Sequence, residues 1–343
     1  MMVDSGRRYL DELQKSSEND PSLDAHIAFG HEQLGDLLGG RRTTSKGRTE
    51  EALASYQRAE SGYRDLLERG HEETNMRGDL SRILQKQGEV LASTDVERAD
   101  DFFKRSRSLA VMVHEARGGD KQSATRLCSN LLKTGDLLSD LGQSGKAMIY
   151  YDEARELIEP HLVAEPDDLS LQRNMALVER RVAWILEERE ETEEARQLWE
   201  SSLARIRSIV VRSPDDLRRK WDLAWSCYHL GALLARVDRQ QEALPLLVES
   251  VERMTRACVG NPGASQYRND LQLLATTVQE ILFEIEEAEI ARQVIRETLL
   301  VLQPTVESMP GNIALLEVYE RIQSLREEGV PESRGEAGRE SLP

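Results

Sequence analysis

The sequence predicts an all-α protein: a right-handed α-solenoid of six helical hairpins, with a period of about 48 residues and a capping helix at each end. Three observations carry that prediction. Alanine recurs at Ala52, Ala99, Ala147, Ala195, Ala243 and Ala291, in steps of 47, 48, 48, 48 and 48. Four residues after each alanine stands a bulky apolar residue: Tyr56, Phe103, Tyr151, Trp199, Leu247 and Ile295. A small residue precedes most of these alanines by twelve positions, at Gly135, Ala183 and Gly231, with Gln279 standing in last. Gly88 lies eleven before Ala99 and Gly35 seventeen before Ala52, and a leucine always follows three later, at Leu38, Leu91, Leu138, Leu186, Leu234 and Leu282.

Close packing of two antiparallel helices explains the spacing. A glycine on the first helix and an alanine on the second let the backbones approach, and the large residue fills the space beside the contact. One such hairpin cannot bury its whole apolar face, so several must stack. Leu230-Gly231, Leu234, a turn at Val237-Asp238-Arg239, then Ala243 and Leu247 resemble the tetratricopeptide pattern. The unit is longer than the usual 34 residues by 48 − 34 = 14, about four helical turns. Because the glycine-to-alanine distance is unchanged, the extra turns lie at the far ends of both helices, which predicts helices of roughly 20 residues.

In chain order, residues 1–20 form an N-terminal capping helix ended by Asn19-Asp20-Pro21. The array occupies residues 21–310, as units 21–70, 71–118, 119–165, 166–213, 214–261 and 262–310. The first unit carries an insertion from Gly39 to Arg48, GGRRTTSKGR, a solvated loop by its glycines, hydroxyls and cations. It lacks the residue order of a phosphate-binding loop. Pro166, Pro214, Pro262 and Pro310, again 48 apart, close four units. Pro-Asp-Asp at 166–168 and 214–216 places carboxylates at helix starts, where the macrodipole favours them. Residues 311–328 form a C-terminal capping helix, and the Gly/Pro-rich polar tail 329–343 is expected to be disordered.

The net charge, 45 − 62 = −17, repels phosphate backbones, so nucleic acid is not an expected partner, and anionic membrane surfaces are disfavoured. No apolar run approaches the roughly 18 residues of a membrane span, and the N-terminus lacks an apolar signal core, so the expected location is cytoplasmic without membrane insertion. Cys128, Cys227 and Cys258 have no metal-like spacing and are expected to be buried free thiols. No catalytic or metal motif is present, and the paired glutamates at 187–188, 190–191 and 286–287 fall at turns, where solvation explains them. The chain is therefore expected to be neither an enzyme nor a cofactor or metal binder.

One region breaks the monotony. Trp184, Trp221 and Trp225 lie on the first helices of the fourth and fifth units. Counting from the glycine and alanine contacts, the side lining a concave groove carries Arg173, Leu177, Arg180, Trp184 and Glu187 in the fourth unit. It carries Trp221, Trp225, Tyr228 and Ala232 in the fifth, and Asn269, Leu273, Thr276 and Phe283 in the sixth. Aromatics beside arginine suit a peptide-binding hot spot. The site expected from sequence is thus Arg173, Arg180, Trp184, Trp221, Trp225, Tyr228 and Asn269, with Arg180 near the aromatics and able to pair with an acidic segment. The alternative is that these tryptophans fill the inter-helix core.

The 48-residue period, the L-G-D-L-L of Leu34 to Leu38, its near-copy at Thr134 to Leu138 and the Pro-Asp starts resemble a known group. They look like the extended tetratricopeptide arrays at the C-terminal end of membrane-tethered bacterial serine/threonine protein kinases. Residues 7–326 share that likeness, but the chain has no kinase motif, so no catalytic residue carries over. The resemblance implies a non-catalytic scaffold that binds a protein or peptide segment in its groove, within a kinase-linked complex. Self-association into a homo-oligomer, or a remnant regulatory region of a kinase, is the alternative.

Overall fold

The computed structural model describes residues 2–17, 20–39, 49–71, 73–260, 265–284 and 288–308. Towards the C-terminus it also describes residues 310–311, 316–317, 319–320 and 322–324. Thirteen helices and no strand occur among the described residues: α1 (Met2–Ser16), α2 (Pro21–Gly39), α3 (Thr49–Glu68), α4 (Glu73–Leu91), α5 (Val96–Ala116), α6 (Lys121–Asp140), α7 (Ser144–Ala164), α8 (Leu169–Glu188), α9 (Thr192–Arg212), α10 (Leu217–Arg236), α11 (Gln240–Gly260), α12 (Ser265–Glu284) and α13 (Ala288–Ser308). From α2 onward every helix has 19 to 21 residues, the length that the 48-residue period requires. The insertion at 40–48 and the tail at 329–343 lie outside the described residues, as does most of the expected C-terminal cap, though Ile322 is fully buried.

The helices form two compact units, Met1–Glu190 and Glu191–Pro343. In the first, α2 packs on α3, α4 on α5 and α6 on α7 as hairpins. The second helix of each hairpin packs on the first helix of the next, and α1 lies against α2. In the second unit α10 and α11 form the tightest hairpin, α9 packs on α10, and α11 touches both α12 and α13.

The expected contact is present in both units. Ala52, Ala99, Ala147, Ala195 and Ala243 are all 0% exposed. A Cβ built on Gly88 would come 2.8 Å from the Phe103 ring, and one on Gly231 would come 2.9 Å from Leu247. Gly35 and Gly135 meet Tyr56 and Tyr151 more closely still, so no side chain fits at either position.

Capping follows the sequence. Asp168 and Asp216, the last residues of the two Pro-Asp-Asp stretches, cap α8 and α10 by accepting from Ser170 N and Leu171 N, and from Arg218 N and Arg219 N. Lys121 hydrogen-bonds Asp168 and, with these backbone donors, holds its carboxyl below the usual carboxylate range. Asp95 and Asp120 cap α5 and α6 in the same way. At the other end α6, α8 and α10 each turn through a left-handed residue, Gly142, Glu190 and Asp238, with φ of 69°, 63° and 57°. Gln143 N and Arg239 N then donate back to Leu138 O and Leu234 O at 2.8 and 2.9 Å, the hydrogen bond that closes a helix C-terminus.

Two outcomes follow. Gly231→Leu should cost about 1–3 kcal/mol by overpacking against Leu247, read as a lowered midpoint in urea. Glu190→Gly should raise stability by about 0.5–1 kcal/mol, because the left-handed conformation is free for glycine and costly for a Cβ-bearing residue. A lowered midpoint for Glu190→Gly would show that the turn is not strained.

Candidate functional site

The small residue of each first helix, a glycine on α2, α4, α6 and α10, Ala183 on α8 and its stand-in Gln279 on α12, serves as a ruler for the positions beside it. Two positions before it stand Lys86, Lys133, Arg181, His229 and Thr277, on α4, α6, α8, α10 and α12. One position after it stand Asp36, Glu89, Asp136, Trp184 and Ala232, on α2, α4, α6, α8 and α10. In the first unit these two positions join successive helices. Lys86 Nζ lies 2.6 Å from Asp36 Oδ2 and 2.6 Å from Glu32 Oε1. Lys133 lies 3.7 Å from Glu89, and Arg181 grips both oxygens of Asp136. Arg82 adds a two-pronged contact to Glu32, each arm 2.7 Å long.

The tyrosines of the packing contact join this ladder. Tyr56 Oη donates to Asp36 at 2.8 Å and Tyr151 Oη to Asp136 at 3.1 Å. The L-G-D sequence therefore has a mechanical meaning: glycine admits the tyrosine ring, and aspartate takes its hydroxyl and the next helix's cation. Burial pulls the Glu32 and Asp136 carboxyls upward, but hydrogen bonds and charge from Arg82, Lys86 and Arg181 outweigh it and hold both below the usual carboxylate range. Burial, reinforced by the charge of Asp36 and Asp136, pushes the Tyr56 and Tyr151 hydroxyls far above their ordinary value.

In the second unit the same face is aromatic. His229 occupies the cation position and is stacked between two indoles, 4.7 Å from the Trp199 ring at 16° and 5.4 Å from the Trp225 ring at 25°. Tyr228 meets Trp225 edge-on at 5.5 Å, and Trp221 meets it at 6.1 Å. Trp221 Nε1 donates to Asp270 on α12 at 2.6 Å, tying α10 to α12. The enclosed Nε1–H of Trp225 has no acceptor among the described residues. On α12 Asn269 and Leu273 occupy the register positions of Trp221 and Trp225, and both are exposed, Leu273 by 52%.

The seven residues expected from sequence are thus divided between the units. Arg173, Arg180 and Trp184 lie on α8 in the first. Trp184 is 48% exposed with its Nε1–H donated to Glu188, and the two arginines are half-buried. Trp221, Trp225, Tyr228 and Asn269 lie in the second unit. Trp221 departs from the expectation of an open groove wall. It is only 9% exposed, because its indole fills the α10–α12 contact and its N–H is taken by Asp270. Trp225 and Tyr228 are half-buried. Sequence reasoning passed over His229, Trp199 and Asp270; the 48-residue register, which puts His229 where Lys133 and Arg181 stand, was the signal for the first.

Other chemistry is sparse. The three cysteines are buried free thiols, and burial pushes those of Cys128 and Cys227 up to about 12. Among the described residues there is no group of three or more potential metal ligands, and no helix long and apolar enough to cross a membrane. A cleft of about 450 Å³ lies between α5 and α7, lined by Lys104, Arg107, Met112 and Tyr150. Arg107 spans it, stacked 5.0 Å from the Tyr150 ring and bonded to Glu153.

These hairpins define an all-α helical-repeat protein. No protein-family model matches the chain, and no curated protein resembles it closely enough to count as a relative. Two solved structures share its fold. BtubC (BKLC) from P. vanneervenii superposes with a TM-score of 0.52 at 17% identity, covering 75% of this chain and 90% of its own. The apo form of the quorum sensor NprR from B. thuringiensis superposes with a TM-score of 0.50 at 13% identity, covering 94% and 82%. At these identities the likeness is one of fold.

The ladder predicts an acid-labile first unit. Glu32 and Asp136 have folded-state values below their unfolded ones, so their stabilisation is full above the unfolded range and is lost as pH falls from there through the lower folded-state values. Thermal melts from neutral pH to about pH 3 should show a falling midpoint below about pH 5, with a shallower slope in Asp136→Asn and Glu32→Gln. An unaltered slope in both variants would show that other carboxylates govern acid unfolding.

Proposed function

We propose that this chain is a non-catalytic helical-repeat scaffold that binds a protein segment on the first-helix face of its second unit. One observation supports this above the others. The register positions whose charges are tied to one another in the first unit are occupied in the second by partly buried Trp225 and Tyr228 on α10 and by exposed Leu273 on α12. Aromatic side chains that keep one face in water and are held rigid by neighbours are the usual anchors of protein interfaces. The finer reading, a place in a kinase-linked complex, rests on the sequence resemblance alone, and co-purification of a serine/threonine kinase with the tagged chain tests it.

A crosslinking pull-down from the native cell, repeated with Trp225→Ala and Trp225→Phe, tests the main reading. Phe keeps a ring and removes the unpaired N–H, so it is the folded control. A partner held through this face should lose about 2 kcal/mol of affinity in Trp225→Ala, close to thirtyfold. If Trp225 serves only the core, the alanine variant should instead lose about 3–5 kcal/mol of stability. A partner retained undiminished by folded Trp225→Ala would then refute the reading. Self-association is separated by light scattering, which should give a monomer mass at low and high concentration.

A further inference from the structure

Resting on that reading, we infer that the segment taken by the α10–α12 face is apolar and free of acidic residues, and that the first unit's equivalent face takes no part in holding it. The register defines the face. On α10 it comprises Trp221, Trp225, Tyr228, His229 and Ala232; on α12 it comprises Asn269, Leu273, Thr276, Thr277 and Glu280. Nine of the ten positions carry no formal charge at neutral pH, in a chain that is 31% charged, and the tenth, Glu280, is acidic. The carboxylate of Asp270 accepts the Trp221 indole N–H.

The equivalent positions of the first unit show the contrast. There the same register supplies Arg82, Lys86, Lys133, Arg181, Asp36, Glu89 and Asp136, each already engaged with a neighbouring helix. A ligand charge arriving on that face has to displace a partner held at close range, which cancels most of its gain.

An acidic segment gains nothing from a face whose one charged register position is Glu280, and it meets the field of a protein with net charge −17. A second copy of the chain carries the same excess and is repelled likewise. An apolar side chain set against Trp225, Tyr228 and Leu273 removes aromatic and aliphatic surface from water without desolvating a charge. The geometry therefore favours an extended segment with an aliphatic or aromatic anchor, and Asn269 is placed to hydrogen-bond its backbone.

The test uses the full-length protein and two displayed peptide libraries, one restricted to uncharged residues and one enriched in Asp and Glu. Enrichment should come from the uncharged library. The affinity of the selected peptides should change less than about twofold between about 50 and 500 mM salt, where surface charge is strongly screened. It should fall at least about tenfold in Leu273→Glu and in Trp225→Ala, and stay unaltered in Lys86→Met, which breaks the first unit's ladder. Leu273 is exposed, so its substitution leaves the fold intact even where Trp225→Ala weakens it. Acidic peptides that still depend on Trp225 and Leu273 would overturn this inference and leave the proposed function standing. Peptides indifferent to both residues, or no enrichment from either library, would overturn both.

Discussion

Everything in this molecule depends on a contact between a residue without a side chain and a large ring or leucine on the neighbouring helix. Where Gly35, Gly88, Gly135 and Gly231 meet Tyr56, Phe103, Tyr151 and Leu247, the helices come as close as their backbones allow. That closeness fixes the rotation of each first helix about its own axis. Once the rotation is fixed, the identity of every solvent-facing position follows by counting from the glycine. The surface chemistry of the array is therefore a consequence of its packing.

The first unit uses those positions to hold its helices together. An ion pair at a protein surface is weak, because water and salt compete for it. The pairs here are half-buried, hydrogen-bonded and chained through shared groups such as Lys86 and Asp136, an arrangement in which losing one partner strands another. This also reconciles an excess of acidic residues with close helix packing. The cations are placed where successive helices meet, Arg107 to Glu153 and Arg105 to Glu60 on the second helices as on the first, and the excess negative charge is left facing water.

The fold was legible in the sequence because the packing contact is periodic. Ala52, Ala99, Ala147, Ala195 and Ala243 could be counted, and each is enclosed. The division of the chain into two units was not legible, since nothing in the 48-residue spacing breaks at Glu190. The candidate site was legible as a cluster of residue types and not as exposures. Trp221 and Trp225 sit one turn apart on the same helix, yet the first is buried and the second only partly so. The difference is the hydrogen bond from Trp221 to Asp270, a partner 49 residues away that no local pattern announces. The sequence places Arg173 and Arg180 on α8, and at the cation position of α10 stands His229, which stacks between indoles.

Burying Trp221 changes what Trp225 can do. A lone half-exposed indole has several rotamers, and fixing one on binding costs conformational entropy. Here Trp221 backs Trp225 from one side and is itself held by Asp270, His229 lies against its face, and Tyr228 meets it edge-on. Its rotamer is set before any partner arrives, so the ordering cost falls on the folding of the protein. The same reasoning bears on the alanine at 232, where α2, α4, α6 and α12 carry a carboxylate. An acid there would place a hydrated charge on the rim of the aromatic group, and a methyl group leaves the ring edges of Tyr228 and Trp225 open to an apolar neighbour.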